Sequence, residues 1–357
     1  MERIPQAEIP AEPQAPSIPP GPALRSKTEL LDALTRSRLE ELDDLHALRR
    51  PARRTSLLAS WIYGWLVQPR QVTSEPLPEV APGEVGITFA GHASVLVRYS
   101  SLCIACDPML ADRIHVVRRS VSPGVGATEM IDVNLVLISH PHPGHLDLPT
   151  LRGLPRSATI VVPPRCASRV SSLGFARTVE LGIGQSLQHR GVDIASVPVK
   201  HPVAGGGVAC AYVIRGDGPS VFFCADSGYF SGFTDVGRRY QPDVAILPIG
   251  GYLPAGQRAD HMSPLDALYA FEDLRARMMI PIHHGAFPLS YETLGDPTAW
   301  LAELTAEREL EAHVTILLPG ASRKFTWPVT AAKAAQEGPS EPEDAHAPAR
   351  PQPAATP

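Results

Sequence analysis

Residues 135–149, Leu-Val-Leu-Ile-Ser-His-Pro-His-Pro-Gly-His-Leu-Asp-Leu-Pro, constrain this chain more than any other stretch. The apolar run Leu135 to Ile138 has the length of a buried strand, and it delivers His140, His142 and His145 into a turn that carries Pro and Gly. Side chains two apart on extended backbone point to the same side, so His140 and His142 can share one ion. Neutral imidazole is the commonest ligand for borderline divalent cations. His145, past the turn, faces a neighbouring position. A histidine-rich surface turn would account for any two of these residues. The later residues His201, His283 and Asp226, each at the end of an apolar run, point instead to one site assembled from separated segments.

At these motifs the chain resembles the metallo-β-lactamase superfamily, whose signature is Ser-His-x-His-x-Asp-His at such a strand end. The resemblance spans roughly Val85 to Phe325, with separated motifs in the family's order. Gly91-His92-Ala93-Ser94, Asp107-Pro108, Asp226-Ser227-Gly228-Tyr229, Pro248 to Tyr252 and His283 to Phe287 are similar to elements of one branch. That branch contains the L-ascorbate 6-phosphate lactonase and the phospholipase D that hydrolyses N-acylphosphatidylethanolamine. The resemblance implies an α+β fold, a four-layer αββα sandwich with the site at one edge between the sheets. It also implies that His140, His142 and His201 hold one ion, that Asp226 bridges two, and that His145 and His283 serve the second. Zinc is the expected metal, as one or two ions, although manganese, iron and nickel accept similar donors.

The resemblance also places His261, in His261-Met262-Ser263-Pro264, at the pocket wall as an acid, base or substrate donor. His92 is the other catalytic candidate, with a structural turn residue as its alternative. For Asp226 the alternative to the bridge is a helix N-cap. Asp107 is expected to orient loops rather than bind metal. One departure outweighs the matches: Gly144 stands where the family carries the aspartate of its signature, so the second metal position lacks a protein donor.

The implied activity is metal-dependent hydrolysis, by a metal-bound hydroxide, of a phosphodiester or an ester or lactone in a small-molecule or lipid-like substrate. The alternative is a metal- or ligand-binding protein that keeps the fold without turnover, and Gly144 is the feature that favours it. A basic loop, Arg113 to Gly126, offers Arg113, Arg118 and Arg119 to a phosphate-bearing substrate, or is merely solvated. A net charge of −5 gives no global attraction to nucleic acid.

The 38 prolines crowd toward the two ends and mark the organisation: a disordered arm over 1–25, a helical extension over 26–80, the metallo-β-lactamase-like domain over 81–328, and a disordered tail over 329–357. In the extension, Ser26 to Glu29 has the form of a capping box ahead of an amphipathic helix that ends at Pro51. A second helix, from Thr55 to Val67, sets Trp61 and Trp65 on one face beside arginines. Such a stripe packs onto the domain or lies in a membrane interface. No run approaches the roughly 20 apolar residues of a membrane span. Neither a signal peptide nor a disulfide framework is expected from the opening residues and the five cysteines, which suggests a cytoplasmic protein, with peripheral membrane contact left open. Cys103 and Cys106 face opposite sides of a strand and read as buried filler rather than a metal pair. Toward the end of the domain a strand is expected over Val314 to Leu318.

Overall fold

The structure is a computed structural model that describes Ile62, residues 68–72 and residues 74–327. The arm, the helix that ends at Pro51, the helix bearing Trp61 and Trp65, and the tail lie outside the described residues, Ile62 excepted.

The chain opens with the antiparallel meander β1 (Glu84–Gly91), β2 (Ser94–Tyr99) and β3 (Leu102–Cys106), then a two-residue hairpin, β4 (Arg113–Ile114) and β5 (Val117–Arg118). After α1 (Ala127–Met130) come β6 (Leu135–Leu137), α2 (Leu148–Gly153), β7 (Thr159–Val162), α3 (Ala167–Val170) and β8 (Arg177–Glu180). The second sheet is built from β9 (Ser186–His189), β10 (Val192–Pro198), β11 (Cys210–Arg215), β12 (Val221–Phe223), β13 (Val244–Pro248) and β14 (Met278–Ile282). Its helices are α4 (Gly232–Tyr240), α5 (Pro264–Leu274) and α6 (Asp296–Glu307), and β15 (Ser322–Thr326) returns to the first sheet. Strand order is β15-β1-β2-β3-β6-β7-β8 in one sheet and β14-β13-β12-β11-β10-β9 in the other.

Strand alternation decides the layering. Val85, Ile87, Phe89, Val95 and Val97 point between the sheets, where they meet Ile194, Tyr212, Phe223, Ile246 and Ile280. Leu96, Cys103 and Ala105 point outward under Met130, Leu151 and Val170 of the three short helices. Cys106 joins the inner core while Cys103 joins the outer one, so the two thiols sit on opposite faces. On the far side α5 lies against β13 and between α4 and α6. The result is the four-layer αββα sandwich.

Parallel pairing positions the site. β3, β6 and β7 run parallel in one sheet, and β12, β13 and β14 in the other, so each trio presents its C-terminal ends along one edge. Two contacts clamp the sheets there: the Tyr212 hydroxyl donates to Ile138 O (2.8 Å), and the Cys210 amide donates to Ser139 O (3.1 Å). The histidine turn is thereby tied to the opposite sheet.

Two expectations change. Val314 to Leu318 is not a strand; it makes one bridge, Val314 to Met279, and Leu318 is 66% exposed. The strand lies further on, at β15, where it pairs antiparallel with β1 and buries only Phe325. The apolar run ends at Pro319-Gly320, a turn that aims the following polar residues along the sheet edge. The basic loop also gains structure, because it contains the β4–β5 hairpin.

Candidate metal centre

Each donor leaves a strand end. His140 and His142 follow β6, and their ligating nitrogens lie with that of His201, beyond β10, within 4.8 Å of one another. Hydrogen bonds at the opposite ring atoms set the tautomers. His201 Nδ1 faces Asp260 O at 3.1 Å and so donates, which leaves a lone pair on Nε2, 3.2 Å from His142 Nδ1. His140 Nδ1 meets Ser139 Oγ at 2.8 Å, and its Nε2 is buried without a hydrogen-bond partner.

A second group of three lies alongside. His145, His283 after β14, and His92 in the β1–β2 turn also bring ligating nitrogens within 4.8 Å of one another. His145 Nδ1 donates to Asp107 Oδ2 (2.8 Å) and His283 Nδ1 to Gly250 O (3.0 Å), so both present Nε2 inward. Asp226, three residues past β12, stands between the two groups. Its Oδ2 is 3.0 Å from His145 Nε2, 3.6 Å from His140 Nε2 and 4.0 Å from His201 Nε2, while Oδ1 is 3.4 Å from His283 Nε2. That Oδ1 is buried with no hydrogen bond. The N-cap alternative for Asp226 is excluded, because α4 begins at Gly232 with Ser231 as its cap.

These orphaned atoms are the test of whether a divalent cation fits. Buried lone pairs on His140 and Asp226 without a partner are costly unless a cation satisfies them. The local field agrees. Burial would raise the Asp226 pKa, yet the imidazoles of His145 and His283 hold it well below the usual carboxylate range. Burial likewise opposes protonation of His145, but Asp226 and Asp107 on either side push its pKa up to about 10. His140 and His92 go the other way, kept neutral first by burial and then by neighbouring histidines. A carboxylate between imidazoles, which give up any proton on the ligating nitrogen when a cation binds, suits a divalent metal.

Asp107 does more than shape a loop. Its Oδ1 accepts from the Ser139 amide (2.7 Å), and its Oδ2 takes both the Ser139 hydroxyl and His145 Nδ1. One carboxylate thus orients a histidine in each group, reaching His140 through Ser139. The carbonyls of Gly250 and Asp260 have the same office, but any residue can offer a carbonyl, so sequence carries no signal for them. His261 reaches the wall: its ring stacks 5.5 Å from that of His283, and burial drives its pKa down to about 4. His284 is turned away from the cluster, beside Phe89, with Nε2 on Pro281 O.

A cleft of about 250 Å³ opens over this cluster, lined by His92, His145, Asp226 and His261 and walled by apolar residues such as Leu253 and Leu289. Among the described residues no Lys or Arg lines it. Arg119, expected as a substrate cation, is 1% exposed; it donates to Met109 O and Ala111 O, and its guanidinium lies 4.5 Å over the Phe287 ring. Arg118 donates instead to Gln68. Both arginines are part of the scaffold under the loop.

A two-sheet sandwich with a carboxylate between two groups of imidazoles at one edge defines a metallo-hydrolase-type protein of the metallo-β-lactamase fold. The sequence pattern of the beta-lactamase superfamily domain matches residues 104–284. A UPF0173 metal-dependent hydrolase of Methanopyrus kandleri is 30% identical over 244 residues, 66% of this chain and 98% of that protein. A Mycobacterium tuberculosis protein known only as uncharacterized is 30% identical over 271 residues, 68% of this chain and 71% of its own. The chain therefore belongs to the metallo-β-lactamase superfamily and, within it, to the UPF0173 metal-dependent hydrolase family. Two solved structures share the fold. The metallo hydrolase Igni18 of Ignicoccus hospitalis has a TM-score of 0.55 at 24% identity, over 69% of this chain and 100% of that one. An isothiocyanate hydrolase from Delia radicum gut bacteria has 0.58 at 20%, over 68% and 99%. Among the described residues no helix is long and apolar enough to cross a membrane.

Proposed function

We propose that this chain is a zinc-dependent hydrolase of esters, lactones or phosphodiesters, and that the uncharged carboxylic ester or lactone is its better substrate. The placement of Asp226 between two groups of histidines carries the reading. When bound, a divalent cation supplies Lewis acidity toward a carbonyl or phosphoryl oxygen and lowers the pKa of a water. His140, His142 and His201 would hold one such ion, with Asp226 reaching toward a second beside His145 and His283. His261, whose Nδ1 is buried without a partner, is placed to hydrogen-bond the substrate.

The preference for an uncharged substrate is supported by the cleft lining. A phosphodiester carries a charge that a bidentate arginine would recognise, and among the described residues the lining has no Arg or Lys to offer. The resemblance to the lactonase and phospholipase D branch supports both bond types. The lipid-like alternative draws on the apolar wall and on Trp61 and Trp65.

Protein purified without added metal, its zinc content measured, is given p-nitrophenyl esters, a γ-lactone and bis-p-nitrophenyl phosphate. Turnover of ester or lactone that vanishes with chelator and returns with zinc supports the reading; a faster phosphodiester reverses the substrate order. Bound metal with no turnover of any of the three leaves a binding protein.

A further inference from the structure

The second group of histidines answers the question that Gly144 raises. A Cβ placed on Gly144 would lie 2.7 Å from His92 Nε2 and 3.3 Å from Ile114 Cδ1. A gap that short is not one that real side chains occupy. The volume in which a carboxylate at position 144 would begin is therefore filled by the tip of the His92 ring. The backbone of Gly144 does not forbid a side chain, since it is absent from the positive-φ positions. His92 is the obstacle.

We infer that His92 is a metal ligand, a nitrogen donor that stands in for the side chain missing at Gly144, so that the second cation is held by His92, His145, His283 and Asp226. The inference rests on the reading that this site binds metal. The arrangement of the rings and of the main chain supports it. The ligating atoms of His92, His145 and His283 lie within 4.8 Å of one another, as those of His140, His142 and His201 do. The His92 ring is 4.6 Å from that of His283 and 5.5 Å from that of His145, centroid to centroid. His92 is also held in place by main chain. It has φ of +59°, a left-handed conformation that histidine tolerates better than most residues, and its carbonyl accepts the His283 amide at 2.7 Å.

The exchange has a chemical consequence. An aspartate donor would bring a second carboxylate to the cluster; His92 brings a neutral nitrogen. Each cation position then has three imidazoles and shares Asp226, an arrangement symmetric in donor type. A nitrogen-rich second position selects zinc, cobalt or nickel over magnesium and manganese, which prefer oxygen.

The test is a double-mutant cycle read by metal content, with the cobalt(II) absorption spectrum and chelator competition as affinity measures. Wild type should hold two ions per chain, with zinc or cobalt displacing manganese. His92→Ala should retain one and bind the second at least about 100-fold more weakly, since even outer-shell losses cost 10- to 100-fold. His92→Gln, which keeps more of the side-chain volume, should lose the second ion as well, which separates ligand loss from a packing defect. Gly144→Asp alone should bind the second ion worse than wild type, because its Cβ collides with His92. Gly144→Asp in the His92→Ala background should restore it, because the clash is gone and the carboxylate supplies the donor that His92→Ala removed; the two single His92 variants, not this reversal, separate ligation from packing. Two ions held at wild-type affinity by both His92 variants overturn the inference. So does a single ion in wild type and variants alike, which would still leave the first site and the proposed hydrolase standing. No ion in any variant would sink the proposed function itself.

Discussion

Asp107 shows how much one buried carboxylate at the edge of the site can decide. It is fully buried, accepts three hydrogen bonds and sets the tautomer of His145 while holding Ser139 under His140. Replacing it by Asn keeps the shape but puts an NH2 where one acceptor oxygen was, and removes the charge that favours a donating His145 Nδ1. Metal affinity in Asp107→Asn should fall by about 10- to 100-fold at the second position, with a smaller loss at the first, which it reaches only through Ser139. Titration of the metal-free variant with cobalt would resolve the two steps; unchanged affinities would show that the hydrogen bond orients nothing. This residue was half legible. The Asp-Pro after a short strand marked it as a loop organiser, but only the folded chain brings Ser139 and His145, far along the sequence, to the same oxygen. His92 was legible as a candidate for the site and illegible as a neighbour of Gly144, since the contact joins two turns of different strands.

At the scale of elements, sequence worked wherever an element was both buried and locally signalled. Helix α5 is the clearest case: Ser263 as N-cap, Pro264 in the first turn and Asp266 closing a reciprocal capping box are all printed in its opening residues. What failed were edge strands. β8 and β9 are largely exposed and carry no apolar run, and β15 buries one residue, so neither alternation nor hydrophobicity announces them. Their pairing is decided by the neighbour that offers a free edge. Asp266 reaches beyond its own helix. Its carboxylate takes the Ser263 amide and two guanidinium nitrogens of Arg258, Nε at 2.9 Å and Nη2 at 2.6 Å, and so ties the cap to the turn that carries His261. Asp266→Ala should therefore destabilise the protein by about 3 kcal/mol, the order expected when one partner of a mostly buried ion pair is removed. In a domain of this size that lowers Tm by roughly 6 to 12 °C. A melt within a degree of wild type would show that Arg258 and Ser263 find other partners.

For the whole molecule, a cation at the candidate metal centre would also fasten the two layers. His92, His140, His142 and His145 belong to turns of the first sheet, whereas His201, Asp226 and His283 leave strands of the second. The sequence made the donors visible one by one, but their convergence follows from the parallel trios, which bring strand ends from distant parts of the chain to one edge. A cation among these donors is bound only by the folded chain, in which both sheets are closed on each other, so its binding free energy adds to the stability of the whole domain. A metal present at 100 times its dissociation constant contributes about 2.7 kcal/mol per site. Removal should then lower Tm by roughly 5 to 11 °C for one site and further for two, with restoration on adding zinc. The loss should be uneven. The deep core between the sheets, from Val85 to Phe325, keeps its packing, and amide exchange should quicken first at the site edge, in the turns around residues 140–145, 226–229 and 283–287. Melting curves that coincide with and without chelator, while metal analysis shows the ions gone, would mean that the Tyr212 and Cys210 contacts already close the edge and that the cation fastens nothing.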